Sequence, residues 1–127
     1  MRRYFDISRR LIIVPALVTG PKERQVLGMV LDTGATSSVI NYEVLKKIGA
    51  PFGESVEEVT MTTAAGVLSA FKVTVNSLET LGTQRENFKV IANKSSEFIE
   101  IDGLLGLDFL RGHRLTLDFR EGILSLD

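Results

Sequence analysis

Every apolar stretch in this chain is short and ends in a turn signal, and that punctuation constrains the fold more than any other feature. The early run Leu11–Val18 has eight residues, whereas a membrane-spanning helix needs about 20. It stops at Thr19-Gly20-Pro21-Lys22 and is followed by a second apolar run, Val26–Leu31. Two β-rich runs around a Gly-Pro turn predict a hairpin. Val56–Thr63 and Val67–Val75 alternate in polarity around Ala64-Ala65-Gly66, a second hairpin with glycine at its tip. Ser37–Ile40, Glu86–Ala92 and Phe98–Leu105 read as further strands, and Leu115–Phe119 with Ile123–Leu126 as a closing hairpin turned at Arg120-Glu121-Gly122. Helices are brief. Asn41 offers a cap to Tyr42–Ile48, which Lys46 and Lys47 suit at the negative end of the dipole and Gly49 ends. Leu107–Arg111 has room for one or two turns. Short strands at regular spacing predict a mostly-β, closed or nearly closed architecture.

At 127 residues the chain reads as one domain over 1–127, with no linker or low-complexity tract. Residues 1–10 read as a solvated, flexible basic arm. Arg2, Arg3, Arg9 and Arg10 before an apolar run imitate a secretory signal. Asp6 interrupts the basic region, Pro15 sits in the run, and no small-x-small cleavage site follows, so a strand is the better reading. Zero Cys excludes thiol nucleophiles, disulfide scaffolds and cysteine zinc sites, and a single His excludes multi-histidine metal centres. No metal and no cofactor are expected. Fifteen Lys and Arg against 16 Asp and Glu, with no Trp and two Tyr, give no footprint for nucleic acid. The absence of cysteine and of a convincing signal leads us to expect a cytoplasmic protein. The remaining chemistry must run on carboxylates, hydroxyls, Lys, Arg or backbone.

Asp32-Thr33-Gly34-Ala35 follows directly on Gly28-Met29-Val30-Leu31. A carboxylate at the end of a buried strand is partly desolvated, which makes it a candidate for proton chemistry. Gly34 permits a sharp turn and close approach of another peptide, and the Thr33 hydroxyl can lock the loop laterally. Downstream lies Ile101-Asp102-Gly103-Leu104-Leu105-Gly106-Leu107-Asp108-Phe109-Leu110, carrying the apolar-apolar-glycine segment Leu104-Leu105-Gly106.

With these two motifs in this order and a hairpin between them, the sequence resembles the retroviral-type (retropepsin-like) aspartic proteases. It looks most like the protease domain of the DNA-damage-inducible ubiquitin-shuttle proteins and bacterial single-domain aspartyl proteases, over nearly all of Leu11 to Leu126. The resemblance implies a small closed acid-protease barrel, one half of a two-fold dimer. The second motif would thread beneath the Asp loop, and Ala64, Ala65 and Gly66 would form a flap donating backbone hydrogen bonds to an extended peptide. It implies an aspartic endopeptidase in which Asp32 pairs with the Asp32 of a second copy, one carboxylate activating water and the other polarising the scissile carbonyl. The partners implied are a second copy of the chain and a peptide or protein substrate. Viral members place an acidic residue after the Asp-Thr-Gly-Ala turn and an arginine after the second motif; here Thr36 and Leu107 stand there. Ala35 brings no hydroxyl to the active carboxylates, so a mildly acidic optimum, about pH 5 to 6.5, is expected.

Asp102, Asp108 and Asp118 are poor second carboxylates: none precedes Thr/Ser-Gly. They read as a bend, a helix N-terminal residue and a polar strand position. Two rival functions are a non-catalytic peptide-binding module on the same fold and a Ser-His-Asp hydrolase using Ser37 or Ser38, His113 and Asp118. The second lacks a Gly-x-Ser-x-Gly elbow, and His113 reads as a surface-loop imidazole. The apolar residues of the closing hairpin suit it to a dimer seam.

Overall fold

In the computed structural model, which describes residues 1–53, 56–63, 66–94 and 101–127, strands close on one another around an apolar centre. In chain order the elements are β1 (Arg2–Tyr4), β2 (Ile13–Thr19), β3 (Arg24–Leu31), β4 (Val39–Asn41), α1 (Tyr42–Lys47), β5 (Glu57–Thr63) and β6 (Gly66–Thr80). Then come β7 (Thr83–Asn93), β8 (Gly103–Leu105), α2 (Leu107–Leu110), β9 (Leu115–Asp118) and β10 (Ile123–Leu126). The large sheet runs β2-β3-β8-β4-β7-β6-β5, and a further pairing of its first strand, β2, with β6 closes it. Six strands therefore form a closed barrel, with β5 hydrogen-bonded to the far end of β6. The fold is the mostly-β, retropepsin-like barrel with two short helices that the motifs imply.

Alternation produces this closure. Along β2, Val14, Ala16 and Val18 point inward and are buried while Pro15 is exposed, so one face of the strand goes to the core. Leu27, Met29, Val73, Val75, Leu78, Val90, Leu105 and Phe109 join them there. The β6–β7 hairpin turns on Leu81 and Gly82, both left-handed at φ 54° and 75°, a two-residue loop matching the strand twist. Helix α1 starts as its sequence predicts: the Asn41 side chain accepts from the Glu43 N–H at 2.8 Å, and Gly49 leaves the helix at φ 83°.

Two expectations need correction. Residues 1–10 are not wholly a free arm, because Arg2–Tyr4 pairs antiparallel with Ile123–Ser125 of β10. Its side chains are exposed, so the pairing rests on backbone hydrogen bonds and left no apolar pattern in the sequence. The closing hairpin does not reserve its apolar face for a partner either. Leu124 and Leu126 are buried in the chain's own core, and Leu115 and Leu117 pack against it. Phe119 is left out at 66% exposure, edge-on to Phe5, and Tyr4 on β1 is 79% exposed.

Candidate active site

Strand β8 sits between β3 and β4, parallel to the first and antiparallel to the second. Such a central position admits no side chain at its start: a Cβ on Gly103 would lie 2.0 Å from the Val39 carbonyl oxygen. A Cβ on Gly106 would lie 2.7 Å from the Ala35 oxygen. Glycine at both positions lets the second motif pass directly against the Asp loop.

Hydrogen bonds then tie the two segments together. The Asp32 N–H donates to the Leu105 oxygen at 2.9 Å, and the Leu107 N–H to the Ala35 oxygen at 2.8 Å. Within the loop, the Ala35 N–H donates to the Asp32 oxygen at 3.2 Å. The Gly34 N–H donates to Asp32 Oδ1 at 2.9 Å, which orients the carboxylate. Asp32 is half-buried at the end of β3, and Thr33 and Gly34 are exposed. The structure thus brings Asp32, Thr33, Gly34 and Ala35 together with Leu104, Leu105 and Gly106. The Thr33 hydroxyl makes no hydrogen bond to another described residue.

Of the three residues expected at the flap, Ala64 and Ala65 lie outside the described residues. Gly66 is at the start of β6, paired with Thr63 and at φ 122°, a conformation that favours glycine.

The other aspartates have structural tasks. Asp102 Oδ2 accepts from the Gly28 N–H at 2.8 Å and fastens the bend before β8 to β3. Asp118 Oδ1 accepts from the N–H groups of Arg120 and Glu121, closing the turn before β10. Asp108 stands in the first turn of α2, but its carboxylate reaches across to Ser38. That contact was not legible in the sequence, since Ser38 looks like one more small polar residue before a short strand. The Ser-His-Asp arrangement does not form: the Ser38 hydroxyl serves Asp108, Asp118 caps its own turn, and His113 is half-buried in the turn after α2.

Among the described residues no group of three or more His, Asp or Glu side chains is placed to hold a metal ion. A cavity of about 400 Å3 between Tyr42, Phe52, Glu58, Phe71 and Lys94 is separate from this site; no Asp-loop or second-motif residue lines it.

Known proteins place this geometry. The crystal structure of a retropepsin-like aspartic protease from Rickettsia conorii superposes with a TM-score of 0.72 at 21% sequence identity, covering 99% of this chain and 88% of that one. No curated protein sequence matches. The family described as aspartyl protease matches residues 14–109, which include the Asp loop and the second motif. The chain belongs to the aspartyl protease family.

Proposed function

We propose that this chain is an aspartic endopeptidase that works as a homodimer, with Asp32 from each copy forming the catalytic pair. The observation that carries the reading is the Asp32 carboxylate. It is held at a strand end by Gly34 and by the second motif, yet left half-exposed, while Asp102, Asp108 and Asp118 are each engaged elsewhere. A non-catalytic peptide-binding module has no evident use for a carboxylate so arranged.

In the proposed reaction one Asp32 is ionised and takes a proton from a water, whose oxygen attacks the scissile carbonyl carbon. The partner's Asp32, protonated, donates to the carbonyl oxygen as the tetrahedral centre forms. The proton held by the first carboxylate then passes to the amide nitrogen, the C–N bond breaks, and one hydroxyl of the collapsing tetrahedral centre returns its proton to the partner's Asp32, restoring the singly protonated pair. Two carboxylates this close cannot both ionise cheaply, so the pair shares one proton and activity is bell-shaped in pH. A two-fold axis beside the loop also gives the exposed Thr33 hydroxyl a partner: the other copy's loop. The cleft would lie between two copies. Substrate would lie as an added strand beneath the β5–β6 hairpin. Tyr4, Phe119 and the β1–β10–β9 sheet edges supply apolar and backbone surface for association. We place the reaction in the cytoplasm.

A peptide-library cleavage screen of wild type against Asp32→Asn tests the reading. We expect cleavage by the wild type and its near-complete loss in a folded, dimeric variant. Substantial turnover by pure Asp32→Asn protein would refute the assignment.

A further inference from the structure

We propose that Ser38 and Asp108 are positioning residues for the reaction: a buried clamp that sets where the Asp32 loop stands relative to the two-fold axis. This inference rests on the dimeric protease reading above.

Ser38 is fully buried, and it and Thr80 are the buried polar side chains among the described residues. Thr80 simply donates to the Pro15 oxygen at 2.7 Å across the barrel seam. Ser38 does more. Its hydroxyl donates to Asp108 Oδ1 at 2.7 Å and accepts from the Gly106 N–H at 3.0 Å, while its own N–H donates to Asp108 Oδ2 at 2.9 Å. The Phe109 N–H adds a third donor to Asp108 at 2.8 Å. One hydroxyl therefore joins the strand leaving the Asp loop, the glycine of the second motif and helix α2.

The helix is braced from behind. The Arg85 guanidinium on β7 donates to the Phe109 oxygen at 3.2 and 2.7 Å and to the Arg111 oxygen at 2.6 Å. Its charge lies 5.7 Å from the centre of the buried Phe109 ring. A continuous strut runs from β7 through α2 and Asp108 to Ser38. The Asp loop hangs from the same segment, Asp32 through its N–H to the Leu105 oxygen and Ala35 through its oxygen, which accepts from the Leu107 N–H, so a displacement of α2 or β8 moves the loop with it.

Directional polar bonds in an otherwise apolar interior are a costly way to achieve burial alone, since apolar groups of the same shape do it as well. What they add is a defined position. Position matters doubly on a two-fold axis, because a shift of one loop is repeated in the other and the separation of the carboxylates changes by twice the displacement. A shared proton needs oxygens about 2.5–2.7 Å apart. A slack clamp would loosen the pair and bring its two apparent pKa values together, which narrows the pH–rate bell.

The test compares wild type, Ser38→Ala, Ser38→Thr and Asp108→Asn, with kcat and KM measured across pH at concentrations where dimer content is checked by sedimentation. Amide hydrogen exchange is followed at Asp32 and Leu107, with Val75 as a distant reference. For Ser38→Ala, or for Asp108→Asn where the first fails to fold, we expect kcat about 10- to 100-fold lower. KM should stay within about threefold, the bell should narrow, and exchange should quicken at Asp32 and Leu107 but not at Val75. Ser38→Thr, which keeps the hydroxyl, should recover most of the loss. The proposal is overturned if activity falls only in proportion to folded dimer with an unchanged bell, or if Ser38→Thr is no better than Ser38→Ala. Were the wild type to cleave nothing, the protease reading would fail by itself. The exchange data would then decide the clamp: selective opening of the loop amides upholds it, and unchanged protection overturns it.

Discussion

Gly103→Ala asks more of this fold than its single methyl suggests. The added carbon would sit 2.0 Å from the Val39 oxygen and 3.1 Å from the Val39 carbonyl carbon, both backbone atoms of β4. Ordinary contact requires about 3.4 Å or more, so β8 and β4 must part by over an ångström. Overpacking alone costs about 1–3 kcal/mol. A shift that large also loosens the Asn41 N–H bond to the Asp102 oxygen and the Asp102 N–H bond to the Gly28 oxygen, both 2.8 Å, at about 1 kcal/mol each. The sum is about 3–5 kcal/mol, against a total stability of about 6–19 kcal/mol for a chain this long. Gly53→Ala is the control, since its Cβ would meet nothing within 4 Å and its φ is not left-handed; it should change stability by under about 1 kcal/mol. Urea unfolding at one fixed, low protein concentration measures both. A Gly103→Ala loss below about 1 kcal/mol, or equal to that of Gly53→Ala, would refute the reasoning that β8 is clamped on both sides.

Leu124→Ala should cost about 2–5 kcal/mol whatever the protein concentration, because Leu124 is buried in its own chain's core; urea melts over a hundredfold concentration range check this. Tyr4→Ala and Phe119→Ala, by contrast, should weaken association by sedimentation and leave the dilute-limit stability nearly unchanged. Asn41→Ala should cost about 1 kcal/mol through loss of the α1 cap, read as a lower urea midpoint at constant slope. The Ser8 hydroxyl and N–H hold the exposed Asp6 carboxyl below the usual carboxylate range, with Arg9 adding a little. Its depressed value means the turn gains from ionised Asp6 above the unfolded pKa and loses that gain as pH falls through the folded one. Ser8→Ala should move the Asp6 titration, followed by NMR, back upward.

Where side-chain chemistry determines a segment, that segment is legible in the sequence. Asn41, Lys46, Lys47 and Gly49 delimited α1, because capping and dipole effects act within one turn. The hairpins were legible because alternation and turn residues are local. Bounds failed where the backbone alone did the pairing. Strand β1 has three polar or exposed residues and finds its partner on β10 at the other end of the chain. Strand β6 continues past Val75 to Thr80, through the exposed Asn76, to a turn carrying Leu81 in a left-handed conformation that leucine rarely adopts.

The site divides in the same way. Asp32 to Ala35 and Leu104 to Gly106 stood out because a carboxylate after a buried strand and a glycine after two leucines are conspicuous in one dimension. Ser38 and Asp108 lie 70 residues apart and each looks ordinary by itself; only the threading of β8 between β3 and β4 makes them neighbours. The closing hairpin carries the complementary lesson. Its leucines suggested a seam between copies, yet a small barrel has little apolar surface to spare, and Leu124 and Leu126 go to its own core first. Among the described residues the exposed apolar side chains lie elsewhere, Tyr4, Phe119, Ile7, Val26 and Val67 among them. On the dimer reading proposed above, the exposed rings Tyr4 and Phe119, beside the β1 and β9 sheet edges, are the surface offered to a second copy. Its association should accordingly respond to Tyr4 and Phe119 far more than to the hairpin leucines.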